Sequence, residues 1–162
     1  MVTARAIAET VTDPELPMIT LAELGVLRGV RETSGRVEVT ITPTYTGCPA
    51  LDAMRDDLRA RLTEAGYADV QIRTVLDPPW TTDWITEPGR RKLRSAGISP
   101  PGPAPRRATG PIPLTLGPTR GVTCPHCGAS DTVELSRFGA TACKSLRRCA
   151  ACHEPFEHFK EI

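Results

Sequence analysis

Several features that mark membrane, secreted or nucleic-acid-binding proteins are absent from this sequence of 162 residues. It has no run of 18 consecutive apolar residues, so we predict no membrane-spanning segment and no membrane partner. Acidic Glu9 stands where a signal peptide needs an uninterrupted apolar stretch, which favours a cytoplasmic protein. The formal net charge is only +1, and so balanced a chain offers no general attraction for nucleic acid or acidic lipid.

The motifs of common catalytic and cofactor sites are also missing. The three histidines, His126, His153 and His158, all follow residue 125, so the preceding chain holds no imidazole to activate a cysteine nucleophile. The sequence contains neither a glycine-rich nucleotide loop nor the Glu-x-x-His motif of carboxylate-bridged iron sites. We therefore predict no catalytic residue.

Cysteine, in contrast, occurs in an informative pattern. Five of the six cysteines lie within residues 124–152, and without a signal peptide such clustering favours metal binding over disulfides. Each C-x-x-C turn, at 124–127 and at 149–152, can present two thiolates to one ion, and two turns complete a tetrahedral shell. We predict a structural zinc ion in a ribbon whose strand pair joins the two turns. The predicted ligands are Cys124, Cys127, Cys149 and Cys152.

Two alternatives stay open for this site. Cys143 could replace one of the later cysteines, although this would break the paired C-x-x-C symmetry. An iron–sulfur cluster could also use the same four thiolates. Residues 122–162 carry five basic and five acidic side chains, and four thiolates with one zinc add about −2. Lys144, Arg147 and Arg148 form the one basic cluster there, so protein contact is favoured over DNA contact.

Composition divides the chain into three zones. Residues 1–98 show regular periodicity and form the first predicted domain. Residues 99–121 contain seven prolines, a composition typical of an extended, semi-rigid linker. Residues 122–162 form the zinc ribbon.

The first zone predicts an α+β domain with helices packed on one face of a small sheet. Gly66 is placed to end the central helix, and Ser34-Gly35 supplies the turn of a β-hairpin. The predicted elements, in order, are a helix with Ala4, Ile7, Ala8 and Val11 on one face that ends before Pro14, strands at 25–30 and 36–42, a helix at 49–66, a strand at 70–74 and a short basic helix at 87–96.

A lone cysteine, Cys48, is the second candidate site. Pro49 suits the first position of a helix, so Cys48 is the predicted N-cap, where the helix dipole and free N–H groups would lower the thiol pKa. Cys48 is then either a reactive thiol or ligand for a transferred metal, or a cap without chemical role. Asp13 and Glu15, in T-D-P-E-L, either bind a cation and position a thiol or form a solvated turn.

Two family resemblances enter at these residues. The first domain resembles the MIP-eighteen family, small domains implicated in iron–sulfur cluster assembly, through T-D-P-E-L at 12–16, L-x-E-L-G-V-L at 21–27 and T-P-T-Y-T-G-C-P at 42–49. The whole chain resembles the family of the D component of bacterial phenylacetyl-CoA epoxidase. The motifs that carry this second resemblance are D-P-P-W-T-T-D-W-I at 77–85, G-I-S-P-P at 97–101, C-P-H-C-G at 124–128, S-R-F-G-A-T-A-C-K-S-L-R-R-C at 136–149 and E-P-F-E-H-F-K at 154–160.

The resemblance implies a mixed-sheet MIP-eighteen-like domain followed by a zinc ribbon, and an accessory maturation role in phenylacetate catabolism. The implied client is the reductase subunit with its plant-type iron–sulfur cluster, and other epoxidase subunits are further partners. Asp13, Glu15 and Cys48 match the family's acidic segment and cysteine, and Cys48 would hold transient iron or an iron–sulfur cluster. Cys143 fits the T-A-C-K pattern without an assigned role.

Two matters remain open at this point. The chain could instead be a structural subunit that bridges reductase and oxygenase without handling metal. The sequence also allows a homodimer.

Overall fold

The computed structural model describes residues 2–104 and 121–162. These described residues cluster into two compact units, and the division between the units falls between Lys92 and Leu93. Residues 105–120, most of the predicted linker, lie outside the described residues. The borders at residues 98 and 121 stay predictions. In the part of the chain that the structure describes, no helix combines the length and apolar character that a bilayer crossing requires.

The first unit contains a three-stranded mixed sheet with the order β1-β2-β3. Strand β2 pairs antiparallel with β1 and parallel with β3. Helix α1 contacts β1 and α2, and α2 contacts β3, so both helices cover the same face of the sheet. The elements are α1 Ala4–Ala8, β1 Leu27–Thr33, β2 Arg36–Ile41, α2 Leu51–Glu64, β3 Asp69–Thr74 and a 3-10 turn at Thr82–Trp84. Helix α3, Glu87–Ser95, begins in the first unit and ends in the second.

The predicted hairpin is confirmed, with its first strand shifted along the chain. Ser34 and Gly35 have φ angles of 50° and 82°, the left-handed pair that a tight two-residue turn between twisted strands requires. Val37, Val39 and Ile41 are fully buried and alternate with Glu38 and Thr40, as period-two patterning demands.

The central helix follows its apolar spacing. Met54, Leu58 and Leu62 form its buried face. Gly66, at φ 100°, donates to the carbonyl of Thr63, and Tyr67 donates to that of Leu62, which is the Schellman pattern that the glycine predicts. Helix α1 ends at Ala8, earlier than its pattern suggested, although Val11 beyond it is still buried.

The second unit is built on a four-stranded sheet with the order β4-β7-β6-β5. The strands are β4 Ile98–Ser99, β5 Thr132–Ser136, β6 Lys144–Cys149 and β7 Pro155–Phe159. Strands β5, β6 and β7 pair antiparallel, whereas β4 pairs parallel with β7. The β5–β6 pair lies between the two cysteine turns, as the zinc-ribbon prediction requires.

Candidate metal centre and the Cys48 site

Two tight turns position the ribbon cysteines. Cys124 donates its N–H to the carbonyl of Ala129 at 2.8 Å, and Gly128 donates to the carbonyl of Cys124 at 3.0 Å. In the second turn, His153 donates to the carbonyl of Cys149 at 3.1 Å. Gly128 and His153, each directly after a C-x-x-C pair, have φ angles of 78° and 64°. The left-handed residue in each turn folds the chain back so that both thiols of a pair point the same way.

The four thiols converge on one point. Their sulfur atoms all lie within 4.8 Å of one another. The distance from Cys124 to Cys152 is 3.8 Å, and that from Cys127 to Cys149 is 3.6 Å. Zinc–sulfur bonds of about 2.3 Å in a tetrahedron place the sulfurs about 3.8 Å apart, which matches. A cluster of several irons divides its ligands among different metal atoms and needs wider spacing, so the arrangement fits a single structural ion.

Backbone donors prepare the site for thiolates. The N–H groups of Cys152 and Ala151 hold the pKa of Cys149 at about 7, well below that of an ordinary thiol. The N–H of Glu154 lowers the pKa of Cys152. Burial and the neighbouring thiols raise that pKa by more, so the net shift is upward. Four thiols this close cannot all ionise without a compensating cation. The donor set therefore fits a divalent metal.

Cys143 lies away from this centre. It directly precedes β6, and its thiol is 3.0 Å from the hydroxyl of Thr141. Cys149 ends the same strand, so six extended residues, about 20 Å, separate the two cysteines. The alternative in which Cys143 replaces a later cysteine is therefore wrong.

The basic cluster expected in the ribbon is not a charged surface. Lys144 is buried, and its ammonium lies 2.6 Å from the carboxylate of Glu157. Arg147 is also buried and pairs with Glu134 at 3.5 Å. Only Arg148 of the three is exposed. Alternation along β6 divides the three cations between the two faces of the sheet, which the linear sequence does not reveal.

The Cys48 site differs from its prediction. Ala50, not Cys48, is the N-cap residue of α2, which begins at Leu51. Pro49 and Ala50 form a turn ahead of the helix, and the carbonyl of Cys48 accepts the N–H of Leu51. The sulfur of Cys48 accepts a backbone hydrogen bond from Ala50, so it does meet one N–H near the helix start.

The thiol pKa of Cys48 also moves in the opposite direction from the prediction. Burial is the main cause that raises it, and the negative charges of Glu15 and Asp13 raise it further. The hydrogen bonds from Ala50 and Tyr45 lower it by less. Burial penalises a thiolate, and it outweighs the helix dipole and the N–H groups on which the prediction rested. At neutral pH the thiol is protonated.

The acidic segment is folded next to this thiol. Asp13 is 4% exposed, and its carboxylate accepts the N–H groups of Glu15 at 2.8 Å and of Leu16 at 2.9 Å. A β-bridge between Thr12 and Thr20 closes the loop that carries both acids. The solvated-turn interpretation is therefore wrong for Asp13. The acids and Cys48 are close enough to interact electrostatically.

The three side chains do not by themselves form a closed ligand set. Within residues 2–104 and 121–162, the ribbon cysteines form the one group of three or more such ligand atoms that converges. Tyr45 is a residue that the sequence reasoning missed, and its hydroxyl hydrogen-bonds the Cys48 thiol. Its signal was its place in T-P-T-Y-T-G-C-P, three residues before the cysteine.

Comparison with known proteins finds a matching family model for each of the two parts of the chain. Residues 4–78 match the family model described as iron–sulfur cluster assembly protein. Residues 108–160 match the model described as PaaD zinc beta ribbon domain. The second match contains all four converging cysteines, so a structural zinc site is the expected property of this ribbon.

Relatives extend the comparison to the whole chain. Over 157 residues the chain is 41% identical to an Escherichia coli (strain K12) protein provisionally named as the D component of 1,2-phenylacetyl-CoA epoxidase, with 97% of this chain and 90% of the relative covered. The chain belongs to the family of the phenylacetyl-CoA epoxidase D component. This membership confirms the resemblance inferred from the motifs, including the union of a MIP-eighteen-like domain with a zinc ribbon.

The first domain of this D-component family protein is also similar to smaller proteins. An Fe-S protein maturation auxiliary factor of Porphyromonas gingivalis is 34% identical over 86 residues, which cover 52% of this chain and 81% of that protein. The crystal structure of the domain of unknown function DUF59 from Bacillus anthracis superposes with a TM-score of 0.52 at 25% identity, covering 56% of this chain and 87% of that one. The MIP-eighteen-like fold is thereby confirmed.

Proposed function

We propose that this protein is a non-catalytic accessory factor of the phenylacetyl-CoA epoxidase system that assists assembly or repair of the iron–sulfur cluster in the reductase subunit. Its similarity to the epoxidase D component and to a maturation auxiliary factor supports the general role. The observation that carries the specific proposal is the buried Cys48 thiol beside the carboxylates of Asp13 and Glu15. These three residues are the proposed functional group.

The chemistry of this group suits a cationic cargo. The negative charge of Asp13 and Glu15 disfavours a free thiolate at Cys48 but attracts a metal cation. When ferrous iron is the cargo, its bond to sulfur forms as the S–H bond breaks, and the proton passes to water. Uptake is then coupled to proton release, so iron affinity rises with pH. The iron or cluster is a substrate that the protein passes on.

The ribbon has a different role in this proposal. Its four thiolates would fully coordinate a single structural ion and would leave no open position for exchange with a client. We assign zinc to this site and assign docking of the client to the ribbon surface. The reductase and other epoxidase subunits are the proposed partners, and a homodimer stays a prediction.

The test compares the reductase subunit produced with this protein, without it, and with its Cys48→Ser variant. We expect fewer iron atoms and lower cluster absorbance per reductase when the protein is absent or carries serine at position 48. Cys143→Ser is the matched control, since Cys143 is also a buried cysteine and lies outside the converging thiols. Equal cluster content and equal cluster lifetime in all samples would contradict the proposal.

A structural bridging subunit is the second candidate function. The observation in its favour is the raised pKa of Cys48, because a protonated buried thiol is a weak nucleophile and needs no chemical role. Bridging predicts that Cys48→Ser retains full epoxidase activity, whereas loss of a ribbon cysteine abolishes it. Co-purification of reductase with oxygenase subunits in each variant separates the two functions.

A further inference from the structure

Strand β5 carries an unusual row of exposed apolar side chains. Val133 is 58% exposed, Leu135 is 54% exposed and Phe138, just after the strand, is 66% exposed. Strand β5 lies at the end of its sheet, and no other strand of the described residues pairs with its outer edge. Proteins usually protect such an edge with charges or cover it. This edge strand carries the exposed carboxylate of Glu134 and a register shift between Glu134 and Ser136, yet its apolar side chains are still exposed.

The row borders a groove beside the metal centre. Val133 and Leu135 line a cavity of about 290 Å³ together with Arg148, Ala150 and His153, and Cys149 contributes to its wall. None of the described residues that line it is acidic. The groove is therefore apolar along β5 and cationic on the side of β6.

Arg148 gives the groove its charge. It lies directly across from Val133 in the β5–β6 pairing and is exposed. Neighbouring cations on β6 have carboxylate partners, since Lys144 pairs with Glu157 and Arg147 with Glu134. No carboxylate of the described residues forms an ion pair with Arg148. An exposed cation next to an apolar groove is complementary to a carboxylate next to an apolar side chain.

We propose that the β5 surface, defined as Val133, Leu135, Phe138 and Arg148, binds an extended segment of a partner protein. The segment adds to the edge of β5, places an apolar side chain in the groove and sets a carboxylate against Arg148. A second copy of this chain fits less well, because it brings cations of the same patch, including Lys160 at 4.7 Å from the Phe138 ring, towards each other.

This inference deepens the proposed function, since the partner tested is the proposed client, but its own measurement is binding. The zinc-loaded full chain is titrated with purified reductase subunit. Leu135→Ser and Arg148→Glu are each expected to weaken binding by about tenfold or more, and Arg148→Lys to retain most of it. Leu76→Ser is the matched control, because Leu76 is 50% exposed on the first unit and lies outside the β5 surface.

Zinc content is measured for every variant, because Arg148 adjoins Cys149 in sequence. If Arg148→Glu loses zinc, a crosslinking experiment with a photo-reactive residue at position 135 takes the place of that variant. The crosslinked reductase peptide should then be extended and contain an acidic residue. Wild-type affinity in Leu135→Ser, absence of any reductase binding by the wild type, or a crosslink to a helical basic segment would overturn the inference.

Three further outcomes distinguish the occupants of the β5 surface and separate docking from maturation. A dimer that dissociates in Leu135→Ser would assign the β5 surface to self-association and overturn the proposal. Salt-dependent binding of a labelled oligonucleotide that Arg148→Glu abolishes would assign it to nucleic acid and also overturn it. If the wild type leaves reductase cluster content unchanged but Leu135→Ser loses reductase binding, the maturation role fails while the docking surface stands.

Discussion

The sulfur atoms of Cys124 and Cys152 lie 3.8 Å apart although the residues are 28 positions apart in sequence. Metal binding therefore joins the start of the ribbon to the turn after β6, and its free energy becomes folding free energy. We predict that Cys124→Ser reduces bound zinc from about one ion per chain to near zero and unfolds the β5–β6 pair. Elemental analysis and amide hydrogen exchange measure the two effects.

Cys143→Ser is the control for this prediction. Cys143 is 6% exposed and contacts Thr141 instead of the converging thiols. The variant should retain its zinc and its exchange protection. A loss of zinc in Cys143→Ser, or its retention in Cys124→Ser, would show that the ligand set is different.

The Cys48 thiol should ionise at higher pH than an ordinary cysteine. Burial raises its pKa, and the charges of Glu15 and Asp13 add to this. Only the thiolate is alkylated, so the half-maximal alkylation rate should occur at higher pH than that of free cysteine. We predict that Glu15→Gln shifts this midpoint to lower pH. Iodoacetamide kinetics in a zinc-loaded Cys143→Ser background report on Cys48.

Two variants test the cause of this shift. Asp13→Asn removes a charge but keeps an oxygen that accepts the N–H groups of Glu15 and Leu16, so it should lower the midpoint without unfolding the loop. Glu9→Gln removes an exposed carboxylate at the C-cap of α1 and should leave the alkylation midpoint of Cys48 unchanged. An unaltered midpoint in both Glu15→Gln and Asp13→Asn would show that the acids do not act on the thiol.

The Lys144–Glu157 pair should stabilise the second unit. The lysine side chain is 5% exposed and that of Glu157 is 25% exposed, with 2.6 Å between nitrogen and oxygen. Lys144→Met leaves the half-buried carboxylate without its cation, and we expect the zinc-loaded protein to lose about 2–4 kcal/mol of unfolding free energy. Urea denaturation followed by circular dichroism measures the change.

The double variant Lys144→Met with Glu157→Gln provides the comparison. It removes both charges, and it should recover part of the stability lost by Lys144→Met because no uncompensated charge remains. A single variant as stable as the wild type would mean that the pair contributes nothing measurable, as exposed ion pairs often do.

Gly25 should tolerate no side chain. Its φ angle is 78°, and a Cβ atom there would lie 2.6 Å from the Cβ of Trp84 and 2.7 Å from its carbonyl oxygen. Left-handed strain and overlap with backbone together predict that Gly25→Ala destabilises the protein by about 2–4 kcal/mol. Gly29→Ala is the control, since nothing lies within 4 Å of its added Cβ. Thermal unfolding should separate the two variants by several degrees.

Most elements of the fold could be predicted because local spacing determines them. The alternation of Val37, Val39 and Ile41 can satisfy only a strand with one buried face, and Gly66 permits the left-handed turn that ends α2. The end of α1 and the start of α2 were less predictable. Pro49 is compatible with a first helical position, but the turn through Ala50 delays the helix to Leu51.

The paired spacing of Cys124, Cys127, Cys149 and Cys152 was enough, by itself, to predict the metal centre, because each C-x-x-C turn aims two thiols at one point whatever surrounds it. Only the tertiary structure placed Asp13 and Glu15 near Cys48 and buried that thiol. Both effects raise the thiol pKa, whereas the nearby helix start alone would lower it. Only the sheet order left Val133 and Leu135 exposed on an edge strand. Local geometry is determined by residues a few positions apart, whereas burial and the proximity of charges depend on residues far apart in sequence.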